Sequence, residues 1–315
     1  REKKTKMSIK VLNGDCLEVL DQLPEKSVDT CITSPPYYGL RNYEREGQIG
    51  LEETPEEYVE KMVEVFRKVR RVLKDEGTVW LNLGDSYASN HYTGARDSDT
   101  GWKHGELSQG YQARAGGARG VFKVKDLMGI PWMVAFALRA DGWYLRQDII
   151  WHKPNPMPES VTDRCTKAHE YIFLLSKQKK YYYDHEAIKQ PVKEDWGTRD
   201  RTDGKYHNEG TGLSPHTGLE DSYESANKRS VWTVTTKPFK GAHFAVFPPD
   251  LIEPCVLAGC PKDGTVLDPF GGAGTTGLVA DRNDRNAILI ELNDEYAEMA
   301  RDRLYNDAPL FVDVE

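Results

Sequence analysis

Cysteine is scarce in this 315-residue sequence, and the five cysteines form no Cys-x-x-Cys pair. No histidine cluster lies near them, so the sequence predicts reduced thiols and no zinc or other metal site. No run approaches the roughly 18 consecutive apolar residues of a membrane span. The basic N-terminal residues are not followed by the apolar segment of a secretory signal. These absences predict a globular protein of the cytoplasm.

Acidic residues outnumber basic ones by 50 to 42, and the net charge of -8 argues weakly against a nucleic-acid partner. The basic residues are, however, unevenly distributed. Residues 86–125 hold six basic and three acidic residues, and residues 164–180 hold five basic residues and one acidic residue. Because binding of a polyanion depends on the local field and not on the total charge, these segments keep a nucleic-acid partner open.

Apolar periodicity predicts strands that alternate with helices. Apolar residues recur at spacings of three and four between Tyr58 and Leu73, which predicts an amphipathic helix from about residue 54 to Gly77. The other predicted helices are 16–23, 126–140, 250–258, 274–281 and 294–305. The predicted strands are 9–12, 27–33, 78–83, 143–151, 170–176, 181–184, 265–267 and 287–290. This alternation indicates an α/β fold with a mostly parallel sheet.

Two long segments interrupt the alternation. Residues 86–125 and 189–241 are Gly-rich and without a regular period, and loops of this length are commonly functional or disordered. We therefore predict one domain, residues 1–315, that carries two insertions.

A Gly-rich motif follows the predicted strand that ends at Asp268. Gly272, Gly274 and Gly277 give the spacing Gly-x-Gly-x-x-Gly ahead of a predicted helix. Glycines allow a tight turn and a close backbone approach, and a helix N-terminus attracts an anion. Glu291, at the end of the next strand, can bind a pair of ribose hydroxyls. The motif indicates a nucleotide-type cofactor, although the same spacing also occurs in tight structural turns.

The position of this motif restricts the fold. Only 38 residues follow Gly277, too few for the remaining strands of a dinucleotide-binding domain. The rest of the sheet must come from the N-terminal side, which predicts a circularly permuted order and argues against an NAD-dependent dehydrogenase.

A second motif, Thr33-Ser34-Pro35-Pro36-Tyr37, ends a hydrophobic strand. The two prolines fix the backbone and remove two donors, so the Ser34 hydroxyl and the Pro35 carbonyl are left as acceptors. Tyr37 can stack on a planar ring. These groups suit the exocyclic amino group of a nucleobase. A Pro-Pro turn with an exposed tyrosine is the alternative reading of the motif alone.

The two motifs, in this order, resemble the beta-class DNA amino-methyltransferases, in which the Ser/Asp-Pro-Pro-Tyr motif precedes the target-recognition region and Asp-Pro-Phe-Gly-x-Gly follows it. Further segments of the chain resemble that family: residues 13–16, 83–85, 150–155, 169–171 and 243–248. The resemblance implies a circularly permuted, Rossmann-like class I methyltransferase sheet of seven strands, mostly parallel with one antiparallel strand. It also implies S-adenosyl-L-methionine as cofactor and double-stranded DNA as substrate. With DNA as substrate, it implies association with the nucleoid in a prokaryote or location in the nucleus of a eukaryote.

The resemblance assigns roles to individual residues. It implies that Ser34, Pro35, Pro36 and Tyr37 are catalytic and hold a base flipped out of the duplex. Glu291 would hold the ribose hydroxyls and Asp15 the adenine edge. Phe244 and Phe247 would form a wall of the cofactor pocket, or else are core aromatics. The remaining cofactor-binding candidates are Asp268, Phe270, Gly272, Gly274, Thr275 and Thr276.

Serine at the first position of the catalytic motif resembles the enzymes that make N4-methylcytosine, whereas adenine-N6 enzymes more often have Asp or Asn there. N6-adenine methylation stays open, as do an RNA or protein substrate and a non-catalytic DNA-binding module. A carbon-5 cytosine methyltransferase would need a cysteine nucleophile. The only Pro-Cys pair, Pro254-Cys255, lies in a predicted helix, so we expect Cys255 to be a core residue.

DNA recognition is expected from the two insertions, because arginine reads guanine and phosphate and aromatic residues can stack. The candidate DNA-binding residues are Arg114, Arg119, Arg199, Arg201, Lys228 and Arg229, each of which could also be a solvated loop charge. Residues 189–241 are the better candidate for a target-recognition insertion. His152 and His169 are expected to make structural hydrogen bonds. Relatives of this kind form homodimers or accompany a restriction endonuclease, and both remain open for this chain.

Overall fold

The computed structural model describes residues 7–40, 47–88, 122–191, 225–236, 247–307 and 312–314. The α-helices in these ranges are α1 (Cys16–Gln22), α2 (Pro55–Val72), α3 (Ile130–Ala140), α4 (Pro249–Gly259), α5 (Thr275–Arg282) and α6 (Asp294–Asp307). A short 3-10 helix spans Glu186–Ile188. The strands are β1 (Met7–Asn13), β2 (Val28–Thr33), β3 (Leu73–Leu83), β4 (Tyr144–His152), β5 (His169–Ser176), β6 (Gln190–Pro191), β7 (Ser225–Ala226), β8 (Val231–Thr233), β9 (Thr265–Asp268), β10 (Asn286–Glu291) and β11 (Val312–Val314).

The described strands form a nine-stranded sheet in the order β11-β1-β10-β9-β2-β3-β5-β4-β8. Only β5 runs antiparallel to its neighbours β3 and β4, and the other pairs within this sheet are parallel. The α/β prediction, with one antiparallel strand, is confirmed. The seven expected strands form the centre, and the three-residue strands β8 and β11 extend the two edges.

The strand order also contains the predicted permutation. C-terminal β9 and β10 lie between N-terminal β1 and β2, so the Gly-rich loop after β9 is next to the chain that follows β2. The sheet edge at the carboxyl ends of these parallel strands is where ligands bind in open α/β sheets.

Helices cover both faces of the sheet. α1, α2 and α3 bury one apolar cluster and α4, α5 and α6 bury the other. Tyr58, Met62 and Phe66 on α2 are fully buried, as their spacing predicts, and Thr54 begins the helix with a capping box to Glu57. Burial of each such side chain stabilises the fold by about 1.5–3 kcal/mol. No helix in the described ranges is both long and apolar enough to cross a membrane.

Four predicted boundaries or elements are wrong, and one of them is the start of β3, which is Leu73 and not residue 78. α2 ends at Val72 and not near Gly77, because Leu73 turns extended and pairs with Val28 of β2. The helix predicted at 126–140 begins at Ile130, after Gly129 with φ 74°. Residues 181–184 form no strand, because their N–H groups bond outside a ladder, to the carbonyls of Glu76 and Ala258.

The two predicted insertions lie largely outside the described residues, and their boundaries stay predictions. Residues 189–191 and 225–236 of the second one are described. Gln190–Pro191 pairs with Ser225–Ala226 as a short antiparallel stem, and β8 then joins the sheet beside β4. Residues 225–236 are therefore attached to the sheet edge, and 192–224 is the part of this insertion that remains between the two arms of the stem.

Candidate active site

The ends of four strands, β1, β2, β9 and β10, bring the two sequence motifs together at one edge of the sheet. Asn13 at the end of β1 is opposite Glu291 of β10, and Leu289 is opposite Asp268 of β9. The Thr33 hydroxyl, one residue before Ser34, donates a hydrogen bond of 2.6 Å to the Asp268 carboxylate. The Gly-rich loop and the Pro-Pro motif are therefore directly connected.

The Gly-rich loop requires its glycines. Gly272 and Gly274 have φ values of 50° and 76°, a region that side chains with a Cβ rarely adopt. A Cβ on Gly274 would lie 3.1 Å from the Ala300 Cβ, so α6 also approaches too closely for a larger residue. Gly274 precedes α5, and no described side chain caps that helix. The N–H groups of its first turn are thus left for an anionic group such as a carboxylate.

Glu291 is fixed beside this loop. Its Oε2 accepts the Gly272 N–H at 2.8 Å, and its Oε1 accepts the Asn293 N–H at 2.9 Å. Burial raises the pKa of Glu291, and these two N–H donors oppose that shift. Each carboxylate oxygen keeps a lone pair, which fits a pair of hydroxyl donors.

Asp268 lies beneath the loop and is 1% exposed. Its Oδ2 accepts the Thr276 hydroxyl at 2.6 Å, and its Oδ1 also accepts the Phe270 N–H at 3.1 Å. Burial raises the pKa of Asp268 to about 6, against the lowering effect of the Thr276 and Thr33 hydrogen bonds. The visible role of this carboxylate is to join the loop to β2. Its direct contact with a cofactor stays a prediction.

Three further predicted cofactor-binding residues, Asp15, Thr275 and Thr276, lie near the Gly-rich loop and Glu291. Asp15 follows β1 and caps α1 by accepting the Leu17 N–H at 2.7 Å, and the adjoining Gly14 N–H bonds the Glu291 carbonyl at 3.0 Å. Asp15 and Glu291 therefore stand at neighbouring strand ends. Thr275 and Thr276 are buried, and the Thr275 hydroxyl accepts from Arg303.

The two described aromatic candidates, Phe247 and Phe270, pack on opposite faces of the sheet. Phe270 is partly buried against the cluster under α1, α2 and α3, and Phe247 against the cluster on the opposite face. The position of Phe247 agrees with the core-aromatic alternative. Phe244 lies outside the described residues.

The Pro-Pro motif keeps two acceptors open. The Pro36 carbonyl accepts the hydroxyl of buried Tyr58, at 3.0 Å. Among the described residues no donor bonds the Pro35 carbonyl, and Ser34 is partly exposed. The Ser34 hydroxyl and the Pro35 carbonyl oxygen are the acceptors that the sequence predicts.

Tyr37 has a partner that the sequence did not reveal. Its hydroxyl donates to the Glu170 Oε2 at 2.7 Å and lies 3.2 Å from the Asn82 Oδ1, and the Ser34 hydroxyl donates to the Tyr37 oxygen at 3.3 Å. Lys153 forms an ion pair with the other Glu170 oxygen. Burial and the Glu170 charge raise the pKa of Tyr37 well above its usual range, so the phenol stays protonated.

Lys153 and Glu170 belong to segments that resemble the family, but the resemblance gave them no role. The available signal was a charged residue shortly after the apolar run 149–151 and another near the start of the apolar strand β5. Asn82 had no comparable signal, since it appears as one polar residue within a buried strand.

The turn after β3 supports this network. A Cβ on Gly84 would lie 2.6 Å from the Tyr37 Cε2, so the ring rests directly on the Gly84 backbone. Asp85 accepts the N–H groups of Gly129 and Ile130, both at 3.1 Å, and thereby holds the start of α3. The Lys167 ammonium donates to the Asp85 carbonyl, and burial lowers the pKa of Lys167.

Two of the predicted DNA-binding residues are described. The Lys228 ammonium lies 5.0 Å from the centre of the Trp232 ring, and Arg229 is exposed. The other four lie outside the described residues: Arg114, Arg119, Arg199 and Arg201. Contact of the six residues with DNA therefore stays a prediction.

His152 and His169 make side-chain contacts of the expected structural kind, to the Thr233 hydroxyl at 3.1 Å and the Tyr171 hydroxyl at 3.4 Å. Cys255 is 1% exposed in the core, as predicted, and burial raises the pKa of its thiol. All five cysteines are free, and all but Cys165 are buried.

An α/β sheet that places a Gly-rich loop beside a Ser-Pro-Pro-Tyr motif defines a class of nucleic-acid-modifying enzymes, and comparison with known proteins agrees. The chain belongs to the N6/N4 methyltransferase family: the family model, described as DNA methylase, matches residues 28–302. The matched range runs from β2 into α6 and includes both motifs.

Among curated proteins, the chain is 47% identical over 297 residues to the Type II methyltransferase M.SmaI of Serratia marcescens, covering 94% of this chain and 91% of that protein. It is 44% identical to the Type II methyltransferase M.Cfr9I of Citrobacter freundii, covering 94% and 88%.

Among solved structures, the fold is similar to the cytosine-N4-specific PvuII DNA methyltransferase, with a TM-score of 0.63, 20% identity and coverage of 99% and 98%. It is also similar to a putative DNA modification methylase from Thermus thermophilus complexed with S-adenosyl-L-methionine, with a TM-score of 0.61, 24% identity and 97% coverage of both chains. At these identities the likeness concerns the fold.

Proposed function

We propose that this DNA methylase transfers a methyl group from S-adenosyl-L-methionine to the exocyclic N4 of a cytosine in DNA. The observation that carries the proposal is the hydrogen bond between Thr33 and Asp268, which holds two open acceptors, on Ser34 and Pro35, beside the Gly-rich loop. The specificity of the PvuII enzyme and the Type II methyltransferase relatives support it.

The residues around the Gly-rich loop fit this cofactor. The uncapped N–H groups of α5 suit its carboxylate, the Glu291 oxygens suit its ribose hydroxyls, and Asp15 at the adjacent strand end suits its adenine edge. When bound, S-adenosyl-L-methionine supplies an electrophilic methyl group on a sulfonium.

The chain itself orients the base. The N4 amino group is conjugated with its ring and therefore weakly nucleophilic. Hydrogen bonds from that amino group to the Ser34 oxygen and the Pro35 carbonyl favour a pyramidal nitrogen with an available lone pair. The base must leave the duplex to reach them, and Tyr37 offers a ring for stacking. The contribution of these residues is orientation, with no covalent intermediate on the protein.

Sequence recognition belongs, in this proposal, to residues 192–224 on the β6–β7 stem, helped by Lys228 and Arg229 near its base. We also propose that the enzyme accompanies a restriction endonuclease, as the Type II names of its relatives suggest.

The direct test uses isotopically labelled S-adenosyl-L-methionine, unmethylated DNA and mass spectrometry of the digested nucleosides. Label in N4-methylcytosine supports the proposal. Label in N6-methyladenine keeps the family but replaces the target base, and no label in DNA directs attention to RNA and protein.

Ser34→Ala removes one acceptor, and we expect it to lower turnover at least about 10²-fold while cofactor binding by calorimetry is retained. Ser27→Ala is the matched control, since the Ser27 hydroxyl bonds the Pro24 carbonyl before β2 begins. Full activity of Ser34→Ala would remove Ser34 from the mechanism.

A further inference from the structure

The hydrogen bonds that connect Ser34, Tyr37 and Glu170 have a fixed direction. We infer that Glu170, held by Lys153, is a positioning residue that acts through Tyr37 to make the Ser34 hydroxyl an acceptor towards the substrate. The inference rests on the proposed function, because only an amino-group substrate needs an acceptor there.

The direction of these hydrogen bonds is set by Glu170, the last group in the series from Ser34 through Tyr37. An ionised carboxylate only accepts, so the Tyr37 hydroxyl must donate to Glu170, at 2.7 Å. The Asn82 amide nitrogen donates to the Tyr171 carbonyl at 3.0 Å and to Glu170 at 3.3 Å, which turns the Asn82 oxygen towards Tyr37. The Glu170 carboxylate and the Asn82 oxygen are thus both acceptors, and the single proton of the Tyr37 hydroxyl points towards them.

The same direction continues to Ser34. The Tyr37 oxygen still has lone pairs, and the Ser34 hydroxyl donates to it at 3.3 Å. A hydroxyl has one proton and two lone pairs. With that proton directed at Tyr37, the lone pairs of Ser34 remain for the N–H of an amino group. A carbonyl at the same position of a base, which is an acceptor itself, would find no donor.

Two contacts keep Tyr37 and Glu170 in place. Lys153 and Glu170 are only 18% and 16% exposed, and removal of one member would leave a poorly hydrated charge. The Tyr37 ring rests on the Gly84 backbone, where a Cβ would come within 2.6 Å. The ring therefore has little room to turn its hydroxyl away from Glu170.

Glu170→Gln tests the direction of these hydrogen bonds, because glutamine has nearly the same shape as glutamate. The glutamine amide can donate to the Tyr37 oxygen, so the chain can reverse and the Ser34 proton can point at the substrate. The DNA probes are two duplexes that carry either cytosine or uracil at the position methylated by the wild-type enzyme. We expect the ratio of their Kd values to shift about tenfold or more towards uracil in Glu170→Gln, and kcat on cytosine to fall about tenfold or more.

Three measurements separate positioning from a structural defect. The Kd of S-adenosyl-L-methionine should stay at the wild-type value in Glu170→Gln, whereas the Tm should fall in that variant because Lys153 loses its ion-pair partner. Asp29→Asn is the matched control, an ion-paired carboxylate with 11% exposure at the opposite end of β2, and should leave the duplex ratio unchanged. In Tyr37→Phe the connection is absent, so adding Glu170→Gln should have no further effect on kcat.

An unchanged duplex ratio in Glu170→Gln, or effects that add in the double variant, would overturn the inference and leave the proposed function intact. A wild-type enzyme that methylates no exocyclic amino group would overturn both.

Discussion

Asp268 connects the two motifs through a single carboxylate. It accepts hydroxyl protons from Thr33 on the side of β2 and from Thr276 on the side of α5. Because the group is almost fully buried, its pKa rises from 3.8 to about 6. Near neutral pH Asp268 is ionised, and keeping this buried carboxylate ionised lowers the free energy of unfolding.

This lowering of the free energy of unfolding depends on pH. The folded-state pKa lies above the unfolded one, so the folded state binds more protons between about pH 4 and pH 6, and stability falls as the pH rises through that window. A pKa difference of about 2 corresponds to about 3 kcal/mol. In Asp268→Asn, whose amide can keep the Thr33 and Thr276 contacts, we expect this fall to vanish in urea unfolding at pH 4.5, 5.5 and 7.

Asp75→Asn provides a control of opposite sign. Hydrogen bonds from Lys26 and Lys177 lower the pKa of the exposed Asp75 carboxyl, so its contribution is lost as the pH falls. If the free energy of unfolding has the same pH dependence in the wild-type protein and in Asp268→Asn, Asp268 is not the group that causes the fall in stability.

Sequence reasoning reached the residues that lie within a local motif and missed those that meet across the sheet. Ser34, Tyr37 and Glu291 were identified from their neighbours in the chain. Glu170 contacts Tyr37, 133 positions away in the sequence, because β5 lies between β3 and β4 in the sheet. This position of β5 cannot be read from the sequence of strands along the chain. Motif spacing holds no information about such a pairing.

At the scale of elements, α2 supports the Pro-Pro motif. Tyr58 is on the buried face of α2, in its first turns, and its hydroxyl holds the Pro36 carbonyl at 3.0 Å. The capping box of Thr54 and Glu57 fixes where this helix begins. The position of the catalytic motif thus depends on the start of a helix that follows it in the chain.

We expect Tyr58→Phe to destabilise the protein by about 1–3 kcal/mol, because the Pro36 carbonyl loses its donor in a buried place. Turnover should fall more than cofactor affinity, since Pro35 is adjacent to the freed carbonyl. Urea unfolding, calorimetry and the labelled-methyl assay measure the three quantities.

Tyr38→Phe is the comparison variant, because the Tyr38 hydroxyl donates to the Glu53 carbonyl, which lies outside the motif. If both variants lower turnover equally, the Tyr58 bond has no special role in placing the motif.

The sequence predicted the alternation of helices and strands better than their ends. The end of α2 depends on the pairing of Leu73 with Val28, and the start of α3 on the Asp85 carboxylate, 45 positions away from Ile130. Residues 181–184 have the apolar and aromatic composition of a strand, but no strand in the described part of the chain pairs with them. Periodicity reports which face is buried, whereas the ends are set by partners distant in the chain.

At the scale of the molecule, the β6–β7 stem pairs the two residues that flank segment 192–224 in the sequence. Pro191 and Ser225 are paired residues of an antiparallel ladder, so a two-residue Asn-Gly turn can join them. We expect a variant with 192–224 replaced by this turn to fold and to bind S-adenosyl-L-methionine like the full chain, and to lose site-specific DNA methylation. Thermal unfolding, calorimetry and sequencing of methylated sites test this.

Retained site specificity in that variant would move the target-recognition role to residues 86–125. Loss of folding would show that the segment contributes to the core.

The strand order has a consequence for synthesis of the protein. β1 is the first of the described strands to leave the ribosome, yet both its partners, β10 and β11, are the last. At about 5–20 residues per second, β1 waits on the order of 15–60 seconds for them, and β2 waits nearly as long for β9. The nascent chain thus exposes two apolar strands without their full set of partners for most of translation. The Gly-rich loop and the catalytic motif come together only when synthesis of these residues is nearly complete, so a shorter nascent chain contains no assembled site.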